Sequence, residues 1–149
     1  MTRDRALVAL ESVLVLVVAY ATTMVVAGDV VDRLFTALGF GAEGAGVPQG
    51  APLDHVRLVR GVLGAVLVGW ALLLLAVVRL GLRAGDPRWW WAVTASVGAW
   101  ALLDTAASLA LGSWQHAAFN VPFVLALGLP LAILWPGRVG TATTRPSAP

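Results

Sequence analysis

The chain has 149 residues, of which 59% are hydrophobic and 12% charged, with a formal net charge of +2 and a mean hydropathy of +0.85. A soluble domain carries about a quarter charged residues, so water is the wrong solvent for most of this chain. Cysteine is absent, which excludes disulfides, iron–sulfur clusters and thiolate zinc sites, and the ten basic residues are all arginines scattered along the chain, with no basic face for nucleic acid.

The first apolar stretch runs from Ala6 to Ala27 and is interrupted by Glu11 and Ser12. Arg3, Arg5 and the Val25-Val26-Ala27 end resemble a signal peptide, but Glu11 sits inside the would-be apolar region, so this stretch is read as a retained helix. Next, Val30, Val31, Leu34, Phe35 and Leu38 recur with helical spacing. They predict a short amphipathic helix on the outer interface. Gly39 to Pro52 is rich in Gly and Pro and reads as an irregular loop; its glycines lack the Lys-Ser/Thr that a phosphate-binding loop needs.

The second span is expected over residues 56–80, the third over 89–111 and the fourth over 117–135. The first is expected over 6–27. At ~1.5 Å rise per residue each approaches the ~30 Å hydrocarbon layer. None alternates with period two, so helices are expected rather than barrel strands. The fold class is therefore all-α: a four-helix transmembrane bundle over residues 1–136 with a short interfacial helix in the first outer loop. Residues 137–149 read as a flexible cytoplasmic tail.

Arg3, Arg5, Arg79, Arg83, Arg88, Arg138 and Arg145 fall on one side, against Arg33, Arg57 and Arg60 on the other. The positive-inside rule puts both termini in the cytoplasm and the protein in the inner or plasma membrane. Trp89, Trp90 and Trp91 then read as an interfacial anchor. The lack of lysine and the abundance of Ala, Gly and Val suggest a GC-rich bacterial genome.

Most polar residues gather at the outer end. Asp104 lies roughly 10 Å below that boundary at helical rise. An ionised group there costs ~2.5–3.5 kcal/mol unless it faces protein or a water-filled recess. It shares one helix face with Ser96, Trp100, Ser108 and Gly112, each four apart. Arg57, Gly61, Ala65 and Gly69 repeat likewise on the second span, which marks that small-residue face as the one turned toward Asp104. Arg60 is the expected ion-pair partner of Asp104. Glu11 is expected to pair with Arg3 or Arg5 or to reach the interface. Pro130 interrupts the fourth span, and Pro122 falls near its start.

Two readings of the polar residues stand side by side. In one, Asp104, Arg60 and Asn120 form a structural clamp between helices. In the other, they belong to a pocket in which Arg57, His55, Trp70, Trp100, Ser108, Asn120 and His116 bind a ligand and Asp104 and Arg60 are candidate catalytic residues. Two histidines are too few for a His-only metal cage, and no cofactor or metal is expected.

Arg60-Gly61, Gly64, Gly69-Trp70, the spacing Asp104-x3-Ser108-x3-Gly112-x7-Asn120 and Leu129-Pro130-Leu131 resemble a family of small uncharacterised bacterial four-helix integral membrane proteins. The resemblance covers Val56 to Ile133 and implies the fold without implying a chemistry. A weaker likeness is to helical membrane isomerases of the sterol type. The expected function is binding of a membrane lipid, a hydrophobic small molecule or a partner membrane subunit, or self-association into a homo-oligomer, through an outer-leaflet recess. The alternative is an intramembrane acid–base enzyme, an isomerase or cyclase with Asp104 as acid. An oligomeric channel or transporter is a third.

Overall fold

The computed structural model describes residues 1–37 and 51–138. The described chain is helical, with α1 over Arg3–Val26, α2 over Gly28–Ala37, α3 over Ala51–Val77, α4 over Pro87–Ala110 and α5 over Trp114–Ile133. A π-helical turn, Val78–Leu82, continues α3, and a 3-10 turn, Pro136–Arg138, follows α5. Of the expected irregular loop Gly39 to Pro52, residues 39–50 lie outside the described residues, as do Leu38 and tail residues 139–149, while Ala51 and Pro52 belong to α3.

Four helices are long and apolar enough to cross a membrane: α1, α3 with its π turn, α4 and α5. Only 17–28% of the most apolar window of each is buried within the chain, and Leu72, Leu73, Leu102, Leu103 and Leu129 lie on the outside. In water so much apolar exposure would be costly, whereas in lipid it is the expected surface. The fold is thus a helical bundle suited to a membrane.

Within the bundle α1 is central. Ala6, Leu7, Leu10, Leu14, Val17, Ala21 and Met24 are buried along one stripe of it, against α3 and α5. The lateral order is α3, α1, α5, α4, and the backbones of α3 and α4 approach closely at few positions, the two helices meeting through Trp70. On α3, Gly64 permits the closest approach to α1. A Cβ there would lie 2.8 Å from the Ala21 carbonyl oxygen. The small-residue face expected to meet the third span points elsewhere: Gly61 and Gly69 have open space beside them, and Ala65 is exposed.

Helix ends carry their own signals. Thr2 caps α1 through Arg5 N, and Asp86 caps α4 through Arg88 N, ahead of Pro87 in the first turn. The α3 helix begins at Ala51, earlier than expected, because Pro52 is tolerated in a first turn and Asp54 complements the helix dipole there. Between α4 and α5, Ser113 N donates to Ser108 O and Gly112 N to Leu109 O. Gly112 has φ +74°, so this is a Schellman ending that turns the chain within two residues. Because α5 starts at Trp114, Pro122 falls inside the helix rather than near its start. Pro122 and Pro130 leave the carbonyls of Ala118 and Ala126 without their usual helical donors.

One end of the bundle, the base, holds Arg3, the α3–α4 turn and Pro136. Its tryptophans, expected as an interfacial anchor, also pack into the fold. Trp90 is only 6% exposed and its indole N–H donates to Leu131 O at 2.8 Å. That carbonyl lies in the last turn of α5, where no helical donor remains, and the indole takes that place. Trp91 and Trp135 meet Trp90 edge-on, at 4.8 and 4.6 Å between ring centroids. Glu11 pairs with Arg83 at 2.7 Å and Arg79 at 3.5 Å, not with Arg3 or Arg5. The hydrogen bond from Arg83 to Glu11 raises the guanidinium pKa above its ordinary value. Arg3 instead donates to Leu82 O at 2.6 Å, across the π turn.

Candidate functional site

At the opposite end, the crown, α1, α3, α4 and α5 enclose a cavity of about 180 Å³. The helical repeat explains which α5 side chains reach it. His116, Phe119, Asn120, Phe123 and Leu127 share one face of α5. From α4 come Trp100 and Asp104, one turn apart; from α3, Leu63, Leu67 and Trp70; from α1, Val17, Tyr20 and Met24.

Asn120 Nδ2 donates to Asp104 Oδ2 at 2.6 Å, and His116 Nε2 lies 3.4 Å from the same oxygen. Asn120 is buried, while the Asp104 and His116 side chains keep 36% and 34% exposure. Both contacts fall on Oδ2, and none of the described residues donates a hydrogen bond to Oδ1. An ionised carboxylate has room for about four hydrogen bonds. Ser108, buried behind it, donates to the Asp104 backbone carbonyl at 2.7 Å. It braces the α4 turn that carries the acid without lining the cavity.

Aromatic rings form the walls. His116, Phe119, Phe123 and Tyr20 follow one another with centroid separations of 6.4, 5.3 and 6.1 Å. Across from them Trp70 and Trp100 stand 6.0 Å apart. The Trp70 indole N–H donates to Ser96 Oγ at 2.7 Å, which satisfies its one donor and fixes the ring.

The structure thus brings together Asp104, Asn120, His116, Trp70 and Trp100 from the residues singled out in the sequence. It separates Arg60, Arg57 and His55 from them. Arg60 pairs with Asp32 of α2, its side chain 12% exposed and laid over Gly28, where a Cβ would collide with it. Arg57 pairs with Asp29 at 3.4 Å and lies 3.9 Å from Asp54. His55 is exposed on α3. The expected Arg60–Asp104 pair is therefore replaced by two arginines clipping α2 to α3. The reason is topological: α2 lies against the start of α3, and its aspartates reach those arginines first.

Tyr20, Phe119 and Phe123 escaped the sequence reading. On an all-apolar helix nothing marks an aromatic as lining a cavity. The one available signal was the i, i+3, i+4, i+7 spacing of His116, Phe119, Asn120 and Phe123, which puts two polar and two aromatic residues on one face.

A larger hollow of about 710 Å³ runs between α4 and α5 toward the base, lined by Trp90, Thr94, Gly98, Gly128 and others. It has no ionisable side chain and so offers no acid, base or charge. Among the described residues no group of three or more His, Cys, Asp or Glu comes together to hold a metal ion. No protein-family model matches the chain, and no similar chain was found among curated proteins or solved structures. Function has to be read from the cavity itself.

Proposed function

We propose that this is a multi-pass protein of the cell membrane whose crown cavity binds a small hydrophobic or amphipathic molecule. The observation that carries this reading is an aromatic-walled cavity of about 180 Å³ lined by a carboxylate that has, among the described residues, one oxygen without a hydrogen-bond donor. Ligand sites combine an apolar lining with a few placed polar groups. A cavity near 150 Å³ already accepts benzene, so this one suits the polar head and first ring or chain segment of a ligand.

The arginines support an orientation. Arg3, Arg5, Arg79, Arg83 and Arg88 gather at the base, which would face the cytoplasm, and the cavity would then lie in the outer leaflet. The α2 helix fits an interfacial position. Val31 is buried and Asp29 and Asp32 are held by α3, while Val30 and Leu34 point outward toward the headgroup region.

A cavity-filling variant tests the binding reading. Leu67→Trp, at the cavity wall, is expected to cost about 1–3 kcal/mol of stability by overpacking. Native mass spectrometry of protein released gently from membranes should show small-molecule adducts on the native chain and lose them in the variant. Identical adduct profiles would defeat the reading.

One observation favours a second reading, an acid–base enzyme: a carboxylate and an imidazole meet at the wall of the same cavity. Asp104 and His116 would then pass a proton to and from an apolar substrate.

A further inference from the structure

We infer that the crown cavity selects hydrophobic ligands that carry a protonated amine; this rests on the ligand-binding reading above. Asp104 is the cavity's one carboxylate, and no arginine lines it. The two nearest on α3, Arg57 and Arg60, are held by aspartates of α2. A carboxylate or phosphate head would therefore meet a like charge with no arginine to offset it, and the one basic side chain in the lining, His116, is already turned to Asp104. An ammonium head meets the opposite arrangement.

Geometry sharpens the choice. Asn120 and His116 both address Oδ2 of Asp104, which leaves Oδ1 as an acceptor for a donor that the ligand must bring. A hydroxyl could serve that acceptor. Only a cation also gains from the ring faces, because the quadrupole of an indole or phenyl face attracts positive charge, tryptophan most strongly. Trp70 has its N–H engaged by Ser96, so it offers the ligand a ring and no donor. Trp100, 6.0 Å from it, is one helical turn from Asp104, so ring and carboxylate can address the same ammonium group. A protonated amine with at least one N–H uses Oδ1 and the rings together.

Three probes share one ring and differ in charge: benzylamine, protonated at neutral pH, benzyl alcohol and benzoate. Isothermal titration of each into the full chain in detergent micelles would read their affinities, with Leu67→Trp as the control for partition into the micelle. Benzylamine is expected to bind roughly tenfold or more tighter than benzyl alcohol, and benzoate weakest. Asp104→Asn should abolish the preference, bringing the amine down to the affinity of the alcohol. Trp100→Leu, which keeps the carboxylate, should weaken the amine more than the alcohol, and it decides the matter if Asp104→Asn fails to fold. If the alcohol binds as tightly as the amine, or if the variants keep the preference, the amine selection is overturned while ligand binding stands. If no probe gives more heat with the native chain than with Leu67→Trp, both readings fall.

Discussion

The two ends of the bundle use polar groups differently. At the base the key groups are spent within the fold. Trp90 donates to the free carbonyl of Leu131, Arg3 to that of Leu82, and both oxygens of Glu11 face arginines. At the crown, Asp104 lines a cavity and, among the described residues, receives its side-chain partners on one oxygen. Both ends contain a carboxylate that lipid alone would not tolerate. A charge whose hydrogen-bonding capacity is used up by the protein is structural, and one with capacity left over is a candidate site.

The comparison can be broken at its strongest point first. Trp90→Ala, at the base, should cost about 3–5 kcal/mol, the usual range for emptying a buried tryptophan site, with the Leu131 carbonyl also losing its donor. Reversible unfolding in mixed micelles would read it, and a cost below that of Trp100→Ala at the crown would contradict a base built for stability. Next comes the α1–α3 contact that both ends share. Gly64→Ala would drive a Cβ into the Ala21 carbonyl oxygen and should cost about 1–3 kcal/mol. Gly61→Ala, facing open space, should be neutral or slightly stabilising in the same assay. Equal effects would mean that α1 and α3 do not pack as described. The smallest effect belongs to the site. Asp104→Asn keeps an acceptor for Asn120, so its stability change should stay below about 1 kcal/mol while the proposed ligand selection would be lost. A loss as large as that of Trp90→Ala would make Asp104 a structural clamp after all.

The corrections share a cause. Position along a span places Arg60 and Asp104 toward the same end of the bundle, which makes them expected partners. Which neighbour lies close there depends on lateral order, and α2 brought Asp32 to Arg60 instead. The Gly61–Ala65–Gly69 stripe is the same case. Small residues at that spacing mark a face capable of close packing, yet α1 took the Gly64 side. The Ser96–Trp100–Asp104–Ser108 face, in contrast, was legible and does turn inward. It carries polar groups, and burying them from lipid selects one side of α4.

From the sequence alone followed the four apolar helices and the inward face of α4, because hydrocarbon penalises unsatisfied polar groups wherever they occur. Tertiary structure alone decided that α1 is the central helix, that Tyr20, Phe119 and Phe123 wall a cavity, and which carboxylate meets which arginine. Spans that are apolar all round have no face marked for burial, and in lipid helix pairing is chosen by shape and by a few hydrogen bonds. Those are properties of two surfaces in contact, which a single strand of residues does not carry.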